Sequence, residues 1–145
     1  MKKNKITFML IGILLLTVLA GCASQTDTAS AVEALSAEEI AALPYNITVD
    51  QTYAAMQSGE VFVLDVREQS EYNDGHIPGV TLIPMNSIPN RLDEIPTDQQ
   101  VIVTCRSGNR SSQVAAYLVN AGFKNIHNME GGIVEWQSAG YPVEK

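Results

Sequence analysis

The sequence predicts an α/β domain: a five-stranded parallel sheet with helices on both faces, a three-layer arrangement. Two observations carry that prediction. Five short strand-like runs alternate with helical ones. Two of the runs, residues 61–66 (Val-Phe-Val-Leu-Asp-Val) and 101–104 (Val-Ile-Val-Thr), are almost continuously apolar, as strands covered on both faces are. In chain order, residues 47–49 (Ile-Thr-Val) form a short apolar piece, and Asp50 is placed to cap a helix that runs to Gln57 and stops at Ser58-Gly59. After the 61–66 strand come a helical turn over 68–73, the loop Gly75-His76-Ile77-Pro78-Gly79, and a strand over 80–83. Residues 88–95 suit a short helix with Arg91 and Glu94 outside, closed by Pro96. The 101–104 strand leads through a polar loop to a helix over 111–121, in which Val114, Ala115, Leu118 and Ala121 share a face, with Gly122 at the left-handed C-terminal position. A last strand over 125–128 and a helix over 132–139 around Trp136 complete the domain.

The amino-terminal residues belong to a different physical class. Lys2, Lys3 and Lys5 precede a run over 6–20 that is apolar apart from two threonines, the pattern of an export signal and too short for a confident membrane-spanning helix of roughly 20 residues. It ends in Leu19-Ala20-Gly21-Cys22, which looks like a bacterial lipobox, where processing leaves a lipid-modified Cys22 as the new amino terminus. An ordinary signal peptide or an anchor helix with an incidental cysteine is the alternative. The chain thus divides into a signal over 1–22, a tether with a short helix over 23–45, and a domain over 46–145. A helix over 31–43 either packs on the domain or extends the stalk. The expected location is the outer face of a membrane, that of the cell or an outer one, held by lipid on Cys22.

Processing at Cys22 removes three of the nine Lys and Arg residues and none of the 16 Asp and Glu residues, so the formal charge becomes −10. Such a surface disfavours nucleic acid and anionic lipid as partners, and no nucleic-acid partner is expected. A lipidated Cys22 cannot form a disulfide, and Cys105 is left as a single thiol in an oxidising compartment, a liability unless buried or used. Two isolated histidines, His76 and His127, and one usable cysteine make no metal site, and no cofactor is implied.

Cys105 falls at the carboxyl end of a predicted strand, where ligands bind in parallel sheets. Arg106, Ser107, Gly108, Asn109 and Arg110 follow it and run into the next helix. Unpaired amides and the dipole at that helix start suit an anion. Gly108 and Asn109 accept positive φ and let the loop amides curl around the sulfur. Arg106 and Arg110 add positive charge. Together these effects predict a depressed thiol pKa and a nucleophilic thiolate. Against this stand a cysteine packed as a small apolar residue, and arginines that are solvated or held in structural ion pairs. Only four residues separate Cys105 from Arg110, where cysteine phosphatases place five, so the loop suits a guest smaller than phosphate, such as the outer sulfur of a persulfide.

Asp65-Val66-Arg67-Glu68, Glu71, Gly75-His76-Ile77-Pro78-Gly79, Cys105-Arg106-Ser107-Gly108-Asn109-Arg110-Ser111, Glu130-Gly131-Gly132-Ile133 with Trp136, and Gly140-Tyr141-Pro142-Val143 together resemble a single-domain rhodanese over residues 47–145. The resemblance implies five parallel strands, a catalytic Cys105 and a six-residue loop of the sulfurtransferase type. It implies transfer of sulfane sulfur from a small sulfur-containing anion such as thiosulfate, through a Cys105 persulfide, to a thiol, to cyanide, or to a protein sulfur acceptor. The alternative is a persulfide carrier or docking module without turnover; a phosphatase or arsenate reductase is disfavoured by the short loop. Within this scheme Arg106 or Arg110 holds the donor oxyanion. His76 orders its turn, Asp65 and Arg67 give structural support, and Gly131, Gly132 and Trp136 shape the domain rather than the reaction.

Overall fold

The structure is a computed structural model, and it describes residues 33–145. The expected signal, lipobox Cys22 and residues 23–32 of the tether lie outside the described residues. The elements are α1 (Ala37–Ala41), β1 (Asn46–Ile47), α2 (Val49–Gln57), β2 (Val61–Asp65), α3 (Gln69–Asp74), β3 (Thr81–Leu82), β4 (Gln100–Thr104), α4 (Asn109–Asn120), β5 (Ile126–Met129) and α5 (Gly132–Ser138). The strands lie in the order β1-β5-β4-β2-β3, every pairing is parallel, and β4 is the middle strand. The predicted α/β class with a five-stranded parallel sheet is the architecture observed.

The two faces of the sheet explain the apolar runs. Leu64, Val101 and Val103 point to one face and pack with Val114, Ala115 and Leu118 of α4. Val63 and Ile102, their chain neighbours, point to the other and pack with Val49 and Ala55 of α2 and with Ile133 and Trp136 of α5. Successive strand side chains alternate between faces, and here both faces are covered, so the middle of β2 and of β4 is apolar at consecutive positions. Each fully buried aliphatic side chain of this kind contributes roughly 1.5–3 kcal/mol.

Several local expectations are corrected. The cap of α2 is Thr48, not Asp50: the Thr48 hydroxyl accepts from Gln51 N–H at 3.2 Å and the Gln51 side chain accepts from Thr48 N–H at 3.0 Å, a reciprocal capping box. Burial of Val49 in the core draws the first turn inward, and Asp50 instead accepts from the Tyr141 hydroxyl at 2.6 Å. The amino-terminal helix is only Ala37–Ala41, started by a Ser36–Glu39 capping box, and Ile40 is buried beside Leu35 and Leu43, which places this segment on the domain. No α-helix forms over 88–95. Two 3₁₀ turns, Met85–Asn90 and Leu92–Glu94, take its place, because Pro89 offers no N–H and Arg91 leaves the helical region at φ −135°. The helix after the cysteine loop begins at Asn109, two residues earlier than expected, which shortens the loop to Arg106, Ser107 and Gly108.

Candidate active site

The middle strand β4 ends at Thr104 and presents Cys105, only 1% exposed, at the carboxyl edge of the sheet. Gly108 caps α4 with a left-handed φ of +92°, a conformation that costs a β-carbon-bearing residue energy. That turn aims the Gly108 N–H at the sulfur, to which it donates at 3.2 Å. Burial is the largest influence on the Cys105 thiol and pushes its pKa up. Hydrogen bonds from the Ser111 hydroxyl and from the Ser111, Ser107 and Gly108 amides outweigh it, and the thiol titrates below its ordinary value. Amide and hydroxyl donors therefore favour the thiolate, and the Arg110 guanidinium adds an electrostatic interaction with it.

Ser111 is fully buried, and its hydroxyl has one proton with two acceptors in reach: the Gly108 carbonyl at 3.1 Å and the sulfur. A thiolate is the stronger acceptor, so ionisation of Cys105 draws this proton toward the sulfur. Sequence reasoning gave Ser111 no role. The available signal was a small hydroxyl residue in the first turn of the helix that receives the loop.

Helix α5 holds the loop from outside. Ile133 N–H donates to the Cys105 carbonyl at 2.9 Å and Val134 N–H to the Arg106 carbonyl at 3.1 Å. These bonds engage the carbonyls, so the loop offers its amides to the sulfur. The approach requires Gly132, where a β-carbon would lie 2.5 Å from the Cys105 oxygen and 2.6 Å from the Arg106 oxygen. Gly132 thus supports the loop directly, a role the sequence reading did not give it.

The predicted loop residues separate into distinct environments. Arg110 forms a two-pronged ion pair with Glu71 of α3, at 2.6 and 2.7 Å. That hydrogen-bonded guanidinium holds the Glu71 carboxyl down to about 2, against the opposing effect of burial, with help from the Glu68 N–H. Asn109 is the first residue of α4, and its side-chain oxygen accepts from Gln113 at 2.8 Å. Arg106 and Ser107 are exposed. Arg106 lines a cleft of about 300 Å³ together with Arg67, Glu71, Asp74 and Gln137.

The three supporting residues act at one remove from the sulfur. Asp65 and Arg67 are buried and joined at 2.7–3.1 Å through both carboxylate oxygens. Arg67 also donates to the Glu71 carbonyl at 3.1 Å and to the Gly75 carbonyl at 3.0 Å, which fixes the segment that carries Glu71 to Arg110. His76 stacks on Tyr72 at 3.7 Å, places Nδ1 3.1 Å from the Tyr72 carbonyl and Nε2 3.3 Å from the Glu144 carboxylate, and pairs its backbone with Glu144. These contacts order the turn. His127 is buried between the Pro44 carbonyl and the Gln100 side chain. Among the described residues no group of three or more His, Cys, Asp or Glu side chains gathers to hold a metal, and no helix is long and apolar enough to cross a membrane.

A parallel sheet whose middle strand delivers a cysteine into a ring of amide donors defines an α/β domain built around a cysteine whose thiol is biased toward ionisation. The Rhodanese-like domain family model matches residues 48–139, and the chain belongs to that family. Among curated relatives, a protein named sulfurtransferase from Allochromatium vinosum is 42% identical over 84 residues, covering 58% of this chain and 78% of its own length. The thiosulfate sulfurtransferase GlpE of Pseudoalteromonas translucida is 33% identical over 94 residues, 65% of this chain and 90% of that protein. In structure, a rhodanese-related protein from Thermoplasma volcanium is similar with a TM-score of 0.64 and 33% identity, over 70% of this chain and 98% of its own.

Proposed function

We propose that the protein is a sulfurtransferase that carries sulfane sulfur as a persulfide on Cys105. The observation that carries this reading is the buried sulfur facing donors from Ser107, Gly108 and Ser111, an arrangement that stabilises an anionic sulfur. Relatives bearing the names sulfurtransferase and thiosulfate sulfurtransferase, at 33–42% identity, support it. The Cys105 thiolate attacks the outer sulfur of thiosulfate, the S–S bond breaks with its electron pair on the departing sulfite, and the persulfide stays in the loop. Amide donors stabilise its charge. Cyanide or a thiol then takes the outer sulfur and restores the thiolate, a covalent two-step cycle with ping-pong kinetics. Arg106, whose guanidinium has no ion-pair partner among the described residues, is the group that receives the donor oxyanion, while Arg110 braces the loop through Glu71.

The test is thiosulfate:cyanide turnover by the full chain in detergent, beside Cys105→Ser. Turnover that disappears in the variant, with an added sulfur atom on the wild-type protein by intact mass, is the expected result. Equal turnover by both would overturn it. A stable added sulfur without turnover would indicate a carrier instead. We further propose that Cys22 carries the lipid anchor at the outer membrane face, supported by the lipobox-like Leu19-Ala20-Gly21-Cys22. Incorporation of a labelled fatty acid that persists in Cys22→Ser would refute that assignment.

A further inference from the structure

The cleft lined by Arg106, the residue that follows Cys105, carries a charge pattern that thiolate stabilisation does not require. Of the four charged side chains lining it, two are already neutralised: Arg67 by Asp65, and Glu71 by Arg110. Two are left over. Arg106 and Asp74 are both exposed, and neither forms a side-chain hydrogen bond or ion pair among the described residues. Asp74 is the last residue of α3, where the helix dipole disfavours a carboxylate. Helix stability therefore gives no account of it. A seat for a dianion such as thiosulfate would leave two guanidiniums free and no carboxylate, but this cleft offers one of each.

We propose that the cleft seats a small zwitterionic hydropersulfide of the α-amino acid type, its carboxylate at Arg106 and its ammonium at Asp74, and that Glu71 sets this preference by holding the Arg110 charge aside. The proposal rests on the sulfurtransferase reading and specifies its donor. A cleft of about 300 Å³ is at the small end of ligand sites and admits an amino acid with room for its sulfur chain. Ile133 and Val134 supply an apolar wall for the methylene, and Gln137 a further hydrogen-bonding group. Arg106, which anchors the carboxylate, is the residue directly after the nucleophile. The transfer needs no external oxidant or reductant. The Cys105 thiolate attacks the outer sulfur, and the donor S–S bond breaks with its electron pair on the inner sulfur. The amino acid thiolate departs, and the sulfane sulfur and its proton remain on Cys105 at an unchanged oxidation level.

Cysteine hydropersulfide and mercaptopropionate hydropersulfide differ only in the α-ammonium and so report on Asp74. With the full chain in detergent, the rate of sulfur loading onto Cys105 is followed by rapid quench and intact mass, with Cys105→Ser as background. The wild-type protein should load from cysteine hydropersulfide roughly two- to fivefold faster at subsaturating donor, the effect of one partly exposed ion pair. Asp74→Asn should abolish that preference and raise loading from thiosulfate by removing a like charge, and Asp74→Glu should restore the preference. Glu71→Gln should raise loading from thiosulfate by freeing Arg110. Asp74 is exposed, so its variants retain the fold, which thermal melting verifies. Equal loading from the two hydropersulfides by the wild-type chain, or a preference that survives Asp74→Asn, would overturn the proposal alone. Failure to load from any of the three donors would overturn the sulfurtransferase reading with it.

Discussion

Gly132→Ala should unfold the site from a position that makes no contact with the sulfur. Gly132 has φ +59°, and a β-carbon there would stand 2.5 Å from the Cys105 carbonyl oxygen and 2.5 Å from the Arg106 carbonyl carbon. Both neighbours are backbone, so no side-chain rotation relieves the overlap. The start of α5 and the cysteine loop must part, which breaks the bonds from Ile133 N–H to Cys105 and from Val134 N–H to Arg106. The left-handed conformation costs an alanine roughly 1–2 kcal/mol and each lost hydrogen bond about 1 kcal/mol, together about 3–4 kcal/mol. For a domain of this size that corresponds to a melting point lower by roughly 12–25 °C. Gly59→Ala is the matched control: its φ is +73°, and nothing lies within 4 Å of the added carbon, so only the backbone cost of about 1–2 kcal/mol applies. Circular dichroism melts give the stability difference, and the rate of Cys105 alkylation by iodoacetamide reports the loop. Displacement of the reacting atom by about 1 Å also costs on the order of 10²-fold in turnover. Equal melting points for the two variants would refute the claim that α5 clamps the loop through Gly132.

Three further outcomes follow from the same geometry. The folded pKa of Glu71 is depressed, so its ion pair with Arg110 stabilises the protein above the ordinary carboxylate value of 4.5, and that contribution is lost as pH falls toward about 2. Glu71→Gln should therefore be less stable than wild type at neutral pH by on the order of 1 kcal/mol after solvent screening, with the gap closing in acid; a gap that is constant with pH in urea titrations would refute it. Ser111→Ala removes a donor to the sulfur and leaves burial less opposed, so the pH midpoint of Cys105 alkylation should move up, and an unchanged midpoint would mean that the hydroxyl stays on Gly108. Asp65→Asn leaves the buried Arg67 guanidinium without its counter-charge and should cost about 3–5 kcal/mol in urea unfolding; a loss below about 1 kcal/mol would show that the carbonyls of Glu71 and Gly75 suffice.

The parts of this molecule that were legible in its sequence are those fixed by neighbours along the chain. β2 and β4 were visible to within a residue because strands covered on both faces must be apolar at consecutive positions, and Val63 and Leu64 do face opposite layers. The strand-to-helix setting of Cys105 followed in the same way. Errors arose where two local signals competed. Asp50 and Thr48 are both capping residue types, and burial of Val49 decided between them. Over 88–95 the apolar spacing suggested a helix, but Pro89 removed a donor that an α-helix needs.

The arginine of the loop shows a different limit, with a chemical consequence. Arg110 was counted as positive charge for the sulfur because it is five residues from Cys105, but its partner Glu71 is 39 residues away, on the far side of two strands in the chain. No local pattern encodes that pairing. Glu71 itself could be placed only in the start of a short helix, where its carboxylate closes a box with Glu68. Once the pair forms, the net fixed charge near the sulfur is smaller than the sequence suggests, and neutral donors, three amides and one hydroxyl, stabilise an anion there alongside the Arg110 interaction with the sulfur. Neutral donors attract an anionic sulfur without also gathering every anion in solution, which suits the proposed cycle, in which the site holds a persulfide and releases the donor's anionic leaving group. The loop therefore separates two tasks that a count of arginines merges. Its backbone stabilises the sulfur, and Arg106, the loop guanidinium without an ion-pair partner among the described residues, is the group proposed to choose the donor.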